Sequence, residues 1–113
     1  MKILIVDDHA VIRAGLKQLC ADFSQGSGGA TVLEADGGET ALALQKTERP
    51  QLTILDLNMP GVSGLELLRQ LIEADSAARI LVFSMHGEPV YAAKALHIGA
   101  RGYVLALEKA AEL

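Results

Sequence analysis

With 113 residues, half of them hydrophobic and only 4% aromatic, the chain has room for one domain whose core is built from Leu, Ile, Val and Ala. A net charge of −4, with ten basic residues that never cluster, argues against direct nucleic-acid binding by this segment. No apolar run approaches the roughly 18–20 residues of a membrane span, the first strand-like run is too short for a signal peptide, and the lone Cys20 allows no internal disulfide and reads as a buried helix cysteine of a reducing cytoplasm.

Residues 2–6 form a short apolar run ended by two acids, which predicts a buried strand. From residue 9 to 22 the apolar positions Ile12, Leu16, Leu19 and Cys20 recur at helical spacing. Ser24-Gln25-Gly26-Ser27-Gly28-Gly29 reads as a loop within the domain, and residues 31–34 as a brief second strand. Gly37-Gly38 opens a helix to about residue 47, stopped by Arg49-Pro50. Residues 52–55 are apolar on both faces, so this strand is central, and Asp56 closes it. After the Met59-Pro60-Gly61 turn, Ser63 caps a helix reaching residue 74, with Glu66 placed to complete a capping box. Residues 79–83 form a fourth strand ending at Ser84, residues 89–98 a helix stopped by Gly99, and residues 101–105 a fifth strand. Residues 108–113 read as the start of a last, truncated helix.

Strands alternating with helical crossovers imply an α/β fold with a parallel sheet and right-handed connections. Ligands of such open sheets bind outside the carboxyl ends of the strands. Asp7-Asp8 stand at the end of the first strand, Asp56 at the end of the third and Ser84 at the end of the fourth. Three carboxylates that close repel one another, and a divalent cation relieves the repulsion; an all-oxygen, partly hydrated site suits Mg2+. A carboxylate there can also act as a nucleophile toward phosphorus, since phosphoryl transfer needs mainly positioning and charge neutralisation. Ser84 offers a hydroxyl at the same edge. His9 and His97 read as surface residues, because no Cys/His metal spacing exists.

Four stretches in register, Ile3-Leu4-Ile5-Val6-Asp7-Asp8-His9, Asp56-Leu57-Asn58-Met59-Pro60-Gly61-Val62-Ser63-Gly64, Val82-Phe83-Ser84-Met85-His86 and Gly99-Ala100-Arg101-Gly102-Tyr103-Val104, resemble the receiver domains of two-component response regulators over the whole chain. Their wording is nearest the FixJ/NarL (LuxR-type) subfamily. The resemblance implies a flavodoxin-like, doubly wound five-stranded sheet of order 2-1-3-4-5, with residues 1–113 as the receiver and a C-terminal helix-turn-helix DNA-binding domain, absent here, in the full-length protein. It implies a cytoplasmic phosphoacceptor signalling domain, not an enzyme beyond its own phosphorylation and autodephosphorylation. Asp56 would take a phosphoryl group from a sensor histidine kinase to regulate transcription. Asp8, Asp56 and the Asn58 backbone carbonyl would bind Mg2+ or Mn2+ directly, and Asp7 largely through water. Ser84 would be the switch hydroxyl and Tyr103 the aromatic switch. Asn58 and His86 would tune the lifetime of the phosphorylated state. The activated full-length protein would form a homodimer, with DNA contacted only through the missing domain and no membrane partner.

One position departs from the pattern. The family ends its fifth strand with a lysine three residues after the aromatic switch, where this chain has Ala106; Lys109 stands three residues further on. Alanine supplies neither charge nor hydrogen bond, so impaired switching is expected. The alternative that this departure favours is a degenerate receiver, an interaction or dimerisation module independent of phosphorylation. Enzymes of the same topology fit less well. A dinucleotide fold places Gly-x-Gly-x-x-Gly directly after the first strand, and a haloacid-dehalogenase-like phosphatase places an acid where His9 stands.

Overall fold

The computed structural model describes residues 1–24, 29–59, 61, 63–84 and 89–105. Along these the elements run β1 (Lys2–Val6), α1 (Ala10–Ser24), β2 (Thr31–Ala35), α2 (Gly38–Glu48), β3 (Leu52–Asp56), α3 (Gly64–Ala74), β4 (Ile80–Ser84), α4 (Pro89–Ile98) and β5 (Gly102–Leu105). The strands form one parallel sheet of order β2-β1-β3-β4-β5, as expected from the sequence, with β3 at its centre. Of the predicted 24–29 loop, Ser24 ends α1 and residues 25–28 lie outside the described residues, as does the truncated last helix at 108–113.

Side chains alternate across the pleat, so each apolar strand feeds two cores. Ile3, Ile5, Ile54 and Phe83 face α1, packing with Cys20, Ile12 and Leu16. Leu4, Val6, Leu55, Ile80 and Val82 face the other way, against Ala41 of α2, Leu67, Leu68 and Leu71 of α3 and Ala95 of α4. The i, i+1, i+4 spacing of the three α3 leucines puts them on one stripe, and each contributes about 1.5–3 kcal/mol by leaving water. Ser63 caps α3 by accepting the Glu66 N–H at 3.4 Å. The other half of the expected capping box is replaced: the Glu66 carboxylate turns to the Arg69 guanidinium, with Oε1 2.6 Å from Nη2. A charged partner three residues along the helix outcompetes the return to the cap.

Two connections tie the layers. Gly64 opens α3 directly against the Leu57 backbone; a Cβ there would meet the Leu57 carbonyl oxygen and lie 2.7 Å from its Cα. Only glycine permits this approach. At the amino-terminal edge of the sheet, Thr53 Oγ1 donates to Gln45 Oε1 at 2.7 Å and Gln45 Nε2 to Asp75 Oδ2 at 3.3 Å. Asp75 Oδ1 accepts the Ala77 N–H at 3.1 Å and faces the Arg49 guanidinium at 3.4 Å. All three of Gln45, Thr53 and Asp75 are buried. This network joins α2, β3 and the α3–β4 turn, and no sequence pattern announced it.

Strand ends differ from the sequence expectation by a residue. β3 includes Asp56 and β4 includes Ser84, because hydrogen bonding continues past the apolar runs: Leu57 N–H still donates to Phe83 O at 3.1 Å. The consequence is functional, since these polar residues are held by the sheet instead of standing in loops.

Candidate functional site

Register brings the acids together. Val6 pairs with Leu55, so the next residues, Asp7 and Asp56, stand side by side where β1 and β3 end. Asp7 N–H donates to Ala35 O at 3.0 Å and Arg13 Nη1 to Asp7 O at 2.7 Å, which fixes the backbone of Asp7 from β2 and from α1. Asp7 is fully buried, Asp56 is 4% exposed, and Asp8 lies nearer the surface.

One ligand atom from each of Asp7, Asp8, His9 and Asp56 lies within 4.8 Å of the others. Asp7 Oδ1 accepts the His9 N–H at 2.7 Å, and the His9 ring Nδ1 lies 3.0 Å from the same oxygen and 3.1 Å from Asp8 Oδ1. Among the described residues, Asp7 Oδ2 is buried with no hydrogen-bond partner, and Asp8 Oδ1, despite its nearness to the imidazole, receives no hydrogen bond. Buried carboxylate oxygens are ordinarily satisfied. Two orphaned oxygens clustered with the Asp56 carboxylate fit a hard divalent cation, whose ligands of choice are such oxygens.

Burial raises the pKa of Asp56 above the ordinary carboxylate value. The Asn58 N–H, donating to Asp56 Oδ1 at 2.8 Å, opposes the rise, and the charges of Asp7 and Asp8 add to it. His9 is raised as well, first by its hydrogen bond to Asp7 and then by the charge of Asp8. The His9 shift comes from the acids beside it, whereas the Asp56 shift comes first from burial and only then from its charged neighbours.

Ser84 is buried at the end of β4 and donates its hydroxyl to Asn58 Oδ1 at 2.6 Å. That bond links β4 to the loop after β3. Beside it lies a cavity of about 250 Å3 lined by Leu57, Asn58, Ser63, Gly64, Leu65, Ser84 and Tyr91.

The structure therefore gathers Asp7, Asp8 and Asp56 around one point and sets Asn58 and Ser84 together at its edge. His86 and Ala106, with Lys109, lie outside the described residues, as does the side chain of Tyr103, whose backbone belongs to β5. His9 needs a correction. It is exposed, as expected, yet its ring reaches back over both acids that follow β1. Cys/His spacing carries no trace of this ring position. The signal was present in the Asp-x-His order, since an aspartate accepting the N–H two residues on forms a local turn that folds the second residue toward it. Arg13, which holds the Asp7 carbonyl, had no sequence signal of its own.

The response regulator receiver domain model matches residues 3–113. The nitrate/nitrite response regulator protein NarL of Escherichia coli (strain K12) is 43% identical over 103 residues, which is 91% of this chain and 46% of that protein. The chain spans about half the length of the curated relatives it matches. A LuxR-family two-component response regulator from Aurantimonas sp. SI85-9A1 superposes with a TM-score of 0.80 at 36% identity, covering 98% of this chain and 81% of that one. A Burkholderia pseudomallei response regulator protein with a phosphorylated aspartic acid, a calcium ion and citrate gives 0.79 at 26% identity, covering 97% and 64%.

Proposed function

The chain belongs to the response regulator receiver domain family, with relatives of the NarL/LuxR type, and from that premise we propose that Asp56 is its phosphoacceptor. The observation that carries this reading is the position of Asp56: a buried carboxylate at the central strand end, tethered through Oδ1 by the Asn58 N–H and facing Asp7 and Asp8. The tether leaves Oδ2 to attack. A new bond forms between Asp56 Oδ2 and phosphorus while the bond from phosphorus to the donor, a histidine nitrogen of a sensor kinase, breaks with its electron pair leaving on the donor. A phosphorylated aspartate in the similar Burkholderia pseudomallei protein supports the assignment.

Asp7, Asp8 and Asp56, with the Asn58 carbonyl, would hold Mg2+ or Mn2+, and the orphaned oxygens of Asp7 and Asp8 fit that cation. The bound cation supplies charge neutralisation for the carboxylates and the incoming phosphoryl oxygens. Asp7, anchored at its N–H and its carbonyl, serves as the fixed wall of the pocket. Ser84 exchanges its bond to Asn58 for one to a phosphoryl oxygen, and this exchange pulls the end of β4 toward Asp56. Tyr103 and His86 are proposed as the aromatic switch and a lifetime-tuning residue. Output passes to a DNA-binding domain and a dimer partner in the full-length protein, and the domain signals instead of turning over substrate.

Ala106 weakens the coupling of phosphorylation to that output, because the site lacks the family's usual cation at this position. The same residue favours a second reading, an interaction module that works without phosphate. Incubation with acetyl phosphate and Mg2+ followed by intact-mass analysis separates the two. One added phosphoryl group, lost in Asp56→Asn, supports the phosphoacceptor; an unmodified wild-type mass supports the module.

A further inference from the structure

We propose that His9 is a nitrogen ligand of the acidic pocket, which makes it a site for borderline divalent cations of the Ni2+, Zn2+ or Co2+ class as well as for Mg2+. The inference rests on the cation pocket proposed above and adds to it a donor of different chemistry.

The ring nitrogen stands between the carboxylates of two successive acids. His9 Nδ1 stands 3.0 Å from Asp7 Oδ1 and 3.1 Å from Asp8 Oδ1. Two donors about 2.1 Å from one ion and adjacent in its coordination shell are separated by about 3.0 Å in an octahedron and about 3.4 Å in a tetrahedron. Donors on opposite sides of an octahedron are about 4.2 Å apart. The imidazole nitrogen already sits at adjacent-ligand spacing from one oxygen of each acid, and the four-residue set, within 4.8 Å, needs only a small inward movement to close on one ion. Asp7 Oδ2 is the independent sign of a missing partner: it belongs to a side chain 1% exposed and accepts no hydrogen bond among the described residues. The ring, by contrast, is half-exposed, so it swings over the pocket mouth without disturbing the core.

Chemistry then decides the class of ion. Carboxylates and water suit Mg2+ and Mn2+, whereas imidazole suits Ni2+, Zn2+ and copper. A pocket of oxygens alone binds both groups; a nitrogen added at its rim strengthens only the second. The backbone helps, because the His9 N–H bond to Asp7 Oδ1 holds the residue at the rim whatever its side chain.

The test is calorimetric titration of Mg2+ and Ni2+ separately into the full chain, its His9→Ala variant and its His9→Asn variant, with the visible absorption of bound Co2+ as a second readout. His9→Asn keeps a hydrogen-bond donor toward Asp7 but offers no imidazole. The expected result is a loss of roughly tenfold or more in Ni2+ affinity in both variants, a Mg2+ affinity within about twofold, and a changed Co2+ spectrum. Equal losses for both ions, or a loss confined to His9→Ala, would show that His9 only positions Asp7 and would overturn the proposal, as would unchanged Ni2+ binding. Wild-type protein that binds no Mg2+ would instead sink the cation pocket itself, a result distinguishable from every outcome above.

Discussion

Replacing Asp56 with asparagine removes a negative charge from a buried site while keeping the shape and the acceptor for the Asn58 N–H, now 2.8 Å from Asp56 Oδ1. Without a cation, wild-type protein must hold this carboxylate ionised at neutral pH against burial and against Asp7 and Asp8, and its pKa is raised accordingly. A carboxylate with a folded-state pKa above the unfolded one contributes stability that is fully present below the unfolded value, about 3.9, and lost as pH rises through the folded value. In EDTA at neutral pH the Asp56→Asn protein is therefore the more stable. The gain is about 1–3 kcal/mol, the range for relieving a buried unfavourable polar group, or roughly 4–12 °C in Tm for a domain near this size. Thermal melts followed by circular dichroism measure it. The advantage shrinks toward zero below the unfolded-state pKa, and at saturating Mg2+ it shrinks or reverses because the variant has lost a ligand. A variant that melts below wild type in EDTA at neutral pH would refute the electrostatic account of the pocket.

Three other perturbations probe different links. Gly64→Ala drives a Cβ into the Leu57 backbone, 2.7 Å from Leu57 Cα, and overpacking of this kind costs about 1–3 kcal/mol; because Leu57 lies between Asp56 and Asn58, acetyl phosphate uptake falls too, and a Tm within about 1 °C of wild type would contradict the close approach. Gln45→Ala strands the Thr53 hydroxyl and a buried Asp75 oxygen and should cost about 2–4 kcal/mol in urea denaturation, with less than about 0.5 kcal/mol refuting the network. Ala106→Lys restores the absent cation and should speed phosphorylation roughly ten- to a hundredfold, from about 1.5–3 kcal/mol of charge-assisted contact; no change in rate would mean that this position carries no part of the switch.

Local pattern and topology made most of the architecture readable. Apolar runs alternating with helical crossovers specify a parallel sheet, and the rule that ligands bind at strand carboxyl ends points to Asp7, Asp8, Asp56 and Ser84. The resemblance to receivers supplied the strand order. What escaped notice depends on side-chain direction. His9 follows two acids and looks like a solvated loop residue until the turn made by its N–H and Asp7 brings the ring back. Arg13 is one charge on a helix, and only the packing of α1 against β1 reveals its bond to the Asp7 carbonyl. Gln45, Thr53 and Asp75 come from a helix, a strand and a turn, so no single periodicity could join them. The half-formed capping box has the same origin: Ser63 and Glu66 stand at the right spacing, but Arg69 decides where the carboxylate goes.

The most direct test of the central claim localises the phosphoryl group. Protein treated with acetyl phosphate and Mg2+ is reduced with borohydride, which converts an acyl phosphate on aspartate to homoserine, and the peptide containing residue 56 is sequenced by mass spectrometry. The account predicts homoserine at position 56 and none at Asp7 or Asp8, with the signal absent in Asp56→Asn. Homoserine at Asp7 or Asp8 with Asp56 unmodified, or its absence from a domain that demonstrably binds Mg2+, would contradict it.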